Sequence, residues 1–383
     1  MSKTFVLAPD SFKESITAQH ACQAMQRGIE KVFPDARFIH VPMADGGEGT
    51  VDALITALNG QRIECEVTGP LAIQKVKTYF GLVNEGKTAI IEMAKANGIH
   101  LLNFEQRNPL LTSTFGTGEM IKQALDLGVS QIIVGLGGSV TNDAGAGMAQ
   151  ALGVKFLDAN QCPMLVTGGR LDQIHQIDVS ALDSRLKNVE MMIASDVNNP
   201  LCGENGASAV FAPQKGATPD QVKYLDRNLY HFAALVKQNL GLDRKDDSGA
   251  GAAGGLGYGL MVFANATLRS GIELMIEQTQ LAEKMVQADY VFTGEGGIDF
   301  QTQFGKTPLG VAKLAKQYGK PVIACAGYIG EGVETLYAEG FDAIFGILDA
   351  ACDLPTALSR GEQNLERTCE NIARLLNVSN AGS

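Results

Sequence analysis

The sequence predicts an α/β protein, a Rossmann-like doubly wound parallel sheet interrupted by a second, inserted mixed α/β domain. Three observations predict it. Short apolar runs alternate with helical periodicities at both ends of the chain, as β-α-β-α before Gly60 and as three further β-α units after Ala288. Between them the texture changes to alternating segments separated by turns. The loops that follow the strands are rich in carboxylates, and an open parallel sheet binds its ligands outside the carboxyl ends of its strands. The expected division is 1–65 and 280–383 for the discontinuous Rossmann-like domain and 66–279 for the insert, with 112–153 assignable to either.

At the N-terminus, Thr4 to Ala8 is an apolar strand ended by Pro9, Asp10 and Ser11. Thr17 caps a helix with Ala21, Met25, Ile29 and Val32 at helical spacing. Arg37 to Val41 is a second strand, followed by the loop MADGGEG (43–49) and a helix from Thr50 to Leu58. Gln61 to Thr68, Val76 to Val83 and Thr88 to Met93 are antiparallel or mixed strands, with turns at Gly69-Pro70 and Glu85-Gly86. A helix from Gly118 to Leu127 leads into GLGGSVTNDAGAGMAQALG (135–153).

That stretch organises the insert. Ile132, Ile133, Val134 and Leu136 make a strand buried on both faces, and Gly137 and Gly138 end it. Ser139, Thr141, Asn142 and Asp143 are helix-capping types, and 144–152 is a short helix. Strand, glycine turn and helix N-terminus together form an anion site, because glycines let N–H groups approach and the helix offers unpaired donors and a favourable dipole.

Val154 to Leu157 is a short strand, 158–188 a polar loop with helical pieces, and Val189 to Ala194 a strand ending at Ser195-Asp196. Pro219 to Leu240 is a long amphipathic helix, and Leu256 to Leu268 is a further helix. GAGAAGGLGYG (249–259) contains GxGxxG, but charged residues 243–247 precede it where a dinucleotide fingerprint needs a strand. Tyr290 to Thr293, Pro321 to Cys325 and Ala343 to Ile347 are strands. The helices between and after them are Pro308 to Tyr318, Gly332 to Ala338 and Glu362 to Leu376.

Composition narrows the function. The 383 residues suffice for two cores, and the net charge of −11 argues against a general nucleic-acid binder. The 7 cysteines form no CxxC pair, which fits reduced thiols, and no apolar stretch approaches a bilayer span. A cytoplasmic location, no nucleic-acid partner and no membrane partner are expected. A homo-oligomer is allowed.

Asp10, Ser11 and Lys13 follow the first strand, and Asp45 and Glu48 the second. Glu295 and Asp299 follow the strand at Tyr290, while Asn142, Asp143 and Asp196 follow strands of the insert. Carboxylates with Lys13 and Lys306 beside them, together with glycine turns, suit a magnesium nucleotide: oxygen ligands hold Mg²⁺, lysine neutralises phosphate and turns donate N–H groups. Gly305-Lys306-Thr307 ends like a Walker A loop, but Phe300 stands where that motif needs glycine. No GxSxG elbow is present.

APDSFKESITA (8–18), MADGGEGT (43–50), VTGPL (67–71), TSTFGTGE (112–119), GLGGSVTNDAGAGM (135–148), SDVNNPLCGENGA (195–207), FAPQKGAT (211–218), GAGAAGGLG (249–257) and TGEGGIDFQTQFGKTPLGVA (293–312) together resemble the type I glycerate kinases, or glycerate 2-kinases, nearly end to end. The resemblance implies ATP- and Mg²⁺-dependent phosphorylation of D-glycerate to 2-phosphoglycerate. It also implies a Rossmann-like domain joined to a second α/β domain. The family usually carries arginine after Gly-Glu-Gly, where this chain has Gly297. If that arginine clamps an anion, another cation must replace it, with Arg269 and Lys306 as candidates.

On this reading Asp196 is the base or a Mg²⁺ ligand, and Lys13 contacts the transferring phosphoryl group with Asp10 and Ser11 nearby. Asp45, Gly137, Gly138, Ser139, Asn142, Asp143 and Lys306 hold substrate or phosphate. Glu295 and Asp299 hold Mg²⁺ directly or through water. The competing readings are a non-catalytic sugar-acid or nucleotide sensor, a kinase for a related hydroxy acid, and an NAD-dependent dehydrogenase resting on the GxGxxG match.

Overall fold

The computed structural model describes residues 2–381. Its strands in chain order are β1 (Thr4–Leu7), β2 (Arg37–His40), β3 (Gln61–Thr68), β4 (Lys75–Val83), β5 (Thr88–Glu92), β6 (Gln131–Gly135) and β7 (Lys155–Leu157). Then come β8 (Gln176–Asp178), β9 (Glu190–Ala194), β10 (Thr267–Arg269), β11 (Tyr290–Ile298), β12 (Val322–Ile329) and β13 (Ala343–Gly346). The chain divides into two compact units. The first comprises 1–45, 52–59 and 270–383, and the second 46–51 and 60–269.

In the first unit a five-stranded sheet runs β13-β12-β11-β1-β2, and every neighbouring pair is parallel. The first strand of the chain is therefore interior, flanked by β2 on one side and by β11, which arrives almost the whole chain later, on the other. Phe5 sits opposite both Phe38 and Tyr290, and its ring stacks on theirs at 5.7 and 5.4 Å between centroids. Helix Ala18–Glu30 begins at Thr17, whose hydroxyl accepts from His20 N, and it buries Ala21, Met25 and Ile29. It lies along the closing helix Gly361–Ala381, with ion pairs from Arg27 to Glu362 and Glu366 on the outer edge. Apolar stripes of both helices join Phe5, Leu7 and Phe292 in one core. Two helices that the sequence pattern does not reveal, Gly271–Gln278 and Leu281–Gln287, precede β11.

The second unit is built on a six-stranded sheet of order β10-β9-β6-β5-β4-β3. β3, β4 and β5 form an antiparallel meander, and β5, β6, β9 and β10 are parallel. The expected boundary at 65/66 moves because β3 pairs with β4 along its whole length, from Gln61 opposite Leu82 to Thr68 opposite Lys75. The boundary at 279/280 moves because β10 pairs with β9. Residues 112–153 all lie in the second unit.

Helix Pro219–Leu240 forms over its predicted span, with a Thr218–Gln221 capping box and Leu225, Leu229, Phe232 and Val236 buried. The helix expected at Leu256 to Leu268 instead spans Ala252–Phe263. Asn265, at φ 49°, breaks it, and Thr267–Arg269 become β10 opposite Met192–Ala194. Within the polar stretch 158–188, Gln176–Asp178 forms β8 and pairs with β7, and Ala207–Phe211 is a further short helix.

Candidate active site

In the first unit the segment that follows β1 runs beside the middle of β11, since Asp10 N donates to Gly294 O at 2.8 Å. Asp10 is buried, 8% exposed. Its Oδ2 accepts from Thr307 Oγ1 at 2.7 Å and its Oδ1 from Ser11 N at 2.6 Å. Burial and the neighbouring Asp45 push its pKa up to about 6 against the pull of these hydrogen bonds and of Lys13. Glu295 lies in the second half of β11, and burial, with Asp10 and Asp45, raises it to about 7 although Lys306 and Lys13 oppose the shift. Lys306 Nζ stands 3.7 Å from Glu295 Oε1 and donates to Gly297 O at 3.3 Å. This edge of the sheet therefore gathers Asp10, Asp45 and Glu295 with Lys13 and Lys306. Lys13 itself is exposed.

Asp299, expected as a metal ligand, also has a local role in the chain. It caps the short helix Phe300–Phe304, its Oδ1 accepting from Gln301 N at 2.8 Å.

In the second unit, the turn after β6 is pressed against the loop at 46–49. A Cβ on Gly137 would stand 2.7 Å from Gly47 Cα, so only glycine allows this approach. Ala144 (φ 53°) and Gly145 (φ 70°) are left-handed, which delays the helix to Ala146–Ala151. The expected anion site at its N-terminus is already filled by the chain. Asp143 Oδ2 accepts from Thr114 N, Thr114 Oγ1 and Gly147 N, and its Oδ1 from Gly145 N. Met148 N donates to Thr114 Oγ1, and Ala146 N to Asp143 O. Asp143 is fully buried and acts as an internal anion for the helix start rather than facing a ligand; burial raises its pKa against four hydrogen bonds.

Asn142 is also fully buried, its Nδ2 donating to Ser208 Oγ at 2.9 Å. Its Oδ1 and the Thr141 hydroxyl are buried without a hydrogen-bond partner among the described residues. Gly138 is exposed, and Ser139 lies just beneath the surface. Ser139 Oγ accepts from Lys215 Nζ at 2.8 Å, and Thr141 O accepts from the same ammonium at 2.7 Å. Asp196 is exposed beyond the end of β9, next to Ser195, whose N–H donates to Arg269 O.

Sequence reasoning misses Lys215 and Thr307. Lys215 stands in the segment FAPQKGAT, but a lysine in a polar loop reads as solvated unless burial is known. Thr307 reads only as the end of a failed Walker A loop.

A sequence model of the Glycerate kinase family matches residues 5–377. The chain belongs to the glycerate kinase family. It is 54% identical over 372 residues to a glycerate kinase of Haemophilus influenzae, covering 97% of this chain and 98% of that one. It is 48% identical over 379 residues to a glycerate 2-kinase of Escherichia coli K12, with 98% and 99% covered. A crystal structure of a candidate glycerate kinase 2 from Salmonella typhimurium LT2 superposes with a TM-score of 0.89 at 44% identity, covering 99% of each chain.

Membership makes the chain a kinase, so a phosphoryl group passes to an alcohol and a nucleotide is the expected donor. No helix among the described residues is long and apolar enough to cross a membrane. Among those residues no three His, Cys, Asp or Glu side chains group as a preformed metal cage, but a kinase Mg²⁺ takes one or two carboxylates and completes its shell with phosphates and water. Glu295 fits that requirement. Its Oε1 is buried and accepts no hydrogen bond among the described residues, and its raised pKa marks a carboxylate that gains from a nearby cation. The family's arginine position is Gly297, whose added Cβ would meet only Tyr328 Cδ1, at 3.8 Å. Lys306 already reaches the Gly297 carbonyl.

Proposed function

We propose that the enzyme phosphorylates D-glycerate on its 2-hydroxyl with ATP and Mg²⁺, giving 2-phosphoglycerate, in the cytoplasm. The observation that carries this reading is the buried Asp10–Glu295 acidic edge flanked by Lys306 and Lys13, where the loop after β1 meets the second half of β11. The 48% identity to a glycerate 2-kinase supports the choice of hydroxyl.

Phosphoryl transfer needs positioning and charge neutralisation more than covalent chemistry. Glu295 would hold Mg²⁺, which supplies positive charge to the phosphate oxygens when bound. Lys13 and Lys306 neutralise the same oxygens, and Asp10, fixed by Thr307 and Ser11, holds a proton or releases it near neutral pH. Ser139 and the Gly137-Gly138 turn bind an anionic group of a substrate, and Asp196 accepts the hydroxyl proton. Asp143, and Asp299 as a cap, support the chain around these groups.

The test is ADP release that depends on both D-glycerate and Mg²⁺, with the product's phosphate located by ³¹P–¹H NMR correlation. Phosphate on carbon 3, or turnover only with another hydroxy acid, overturns the proposed substrate and product. Glycerate binding without turnover favours a sensor.

A further inference from the structure

The ammonium of Lys215 lies directly beneath the Ser139 hydroxyl, and its place there is unusual. The lysine is 1% exposed, yet its two hydrogen bonds go to neutral oxygens, Ser139 Oγ and Thr141 O. Asp143 is the charged group that acts on it, but both Asp143 oxygens are spent on Thr114, Gly145 and Gly147. An ammonium only donates, so Ser139 Oγ is the acceptor in their contact, and its own O–H hydrogen must point away from the lysine. Gly138, the residue before it, is exposed to solvent.

We propose that Lys215 and Ser139 form a two-layer anion seat, in which the buried ammonium fixes and polarises the hydroxyl and the hydroxyl donates to an anionic oxygen of the ligand. Lys215 is a positioning residue here, acting on the ligand through Ser139. The seat rests on the reading of the Ser139 segment as a substrate wall and names what it recognises, a carboxylate or phosphate oxygen.

The electrostatics make binding proton-coupled. Burial lowers Lys215 to about 7 in the free protein, with Asp143 opposing the shift. An anion seated on Ser139 adds negative charge above the ammonium and favours its charged form, so the lysine takes up a proton as the ligand binds. The sign follows: above neutrality the free lysine is largely deprotonated, and affinity falls as pH rises.

Calorimetric titration of the full chain at pH 8, in buffers of different ionisation enthalpy, reads the proton directly, with D-glycerate, Mg·ADP and inorganic phosphate as separate ligands. A substantial fraction of one proton is expected per ligand that uses the seat, and its Kd should rise roughly three- to tenfold between pH 7 and pH 8.5. Uptake with D-glycerate alone assigns the seat to a carboxylate, and uptake with ADP or phosphate alone assigns it to phosphate. Lys215→Arg, which stays charged, should bind without proton uptake and with a flat pH dependence. Ser139→Ala, which keeps the lysine, should bind at least about tenfold more weakly. Circular dichroism verifies the fold of each variant.

Unchanged proton uptake in Lys215→Arg, unchanged affinity in Ser139→Ala, or no proton uptake with any ligand overturns the seat. Failure of the kinase reading is seen separately, as absence of glycerate-dependent ADP release in the unmodified enzyme.

Discussion

Thr307 Oγ1 donates to Asp10 Oδ2 at 2.7 Å, tying the start of helix Thr307–Gln317 to a residue near the start of the first β-α loop. The bond favours the ionised carboxylate, while burial and Asp45 disfavour it and hold Asp10 at about 6. Thr307→Val removes the donor at similar volume, so the Asp10 pKa must rise further. If ionised Asp10 is required, the acidic limb of kcat/KM against pH, which reports the free enzyme, moves to higher pH. A limb that stays in place shows that Asp10 ionisation does not control activity.

Glu295 makes a linked prediction about stability. Its pKa rises from 4.5 to about 7 on folding, chiefly through burial. Between those values the folded state binds more protons than the unfolded one, so the Glu295 contribution to stability is present at low pH and is lost as pH rises through about 7. Glu295→Gln should therefore be more stable than the unmodified protein at pH 8, by about 1–3 kcal/mol, with the gap closing toward pH 5. Mg·ATP should narrow the gap at pH 8 by stabilising the unmodified protein more. Urea denaturation across this pH range measures both effects.

The alternation of apolar runs and helical periods is enough to place the parallel sheet, because each of its strands contains a short apolar run, although β11 and β12 extend beyond theirs to Ile298 and Ile329. The strand-end loops are likewise legible as a polar edge of the sheet, since Asp10, Lys13 and Asp45 follow β1 and β2, whereas Glu295, expected after a strand, falls inside β11 because that strand continues to Ile298. Register and burial are not legible. Asp143 and Asn142 carry the residue types of a ligand loop, yet both are fully buried, and only the fold shows that Thr114, Gly145 and Gly147 point at the Asp143 carboxylate. β10 escapes because Thr267–Arg269 is too short to show a period and gains its strand character from pairing with β9. Lys215 escapes because a lysine reveals its burial only through tertiary contacts.

Asp143 should accordingly behave as a structural residue. Three of its donors are backbone N–H groups that cannot turn away, and an asparagine amide would oppose at least one of them. Asp143→Asn is expected to lose about 2–4 kcal/mol of stability, read by chemical denaturation, with glycerate affinity little changed in the folded fraction. Unaltered stability with a large rise in KM would return Asp143 to the ligand.

Lys13 and Asp196 are separable by kinetics. Lys13→Ala, if the ammonium acts mainly on the developing transition-state charge, lowers kcat by at least about 100-fold with a smaller change in KM. Near-normal kcat removes Lys13 from the chemistry. Asp196→Asn distinguishes base from metal ligand: lower kcat with nucleotide affinity kept identifies a base, and an increased Mg²⁺ requirement identifies a ligand.

Gly297 and Lys306 form the sharpest test of how this chain departs from its family's pattern. Lys306 Nζ lies 3.3 Å from Gly297 O and 3.7 Å from Glu295 Oε1, so a cation already stands beside the position where the family usually has arginine. A Cβ added at Gly297 meets nothing closer than Tyr328 Cδ1 at 3.8 Å, so the backbone accepts a side chain there, and Gly297→Arg should fold. If Lys306 replaces the missing arginine, Lys306→Ala costs at least about tenfold in kcat/KM in the natural background and clearly less in the Gly297→Arg background. The resulting double-mutant coupling measures a shared task directly. Equal losses in both backgrounds would show that Lys306 does not stand in for the arginine, and would turn attention to Arg269.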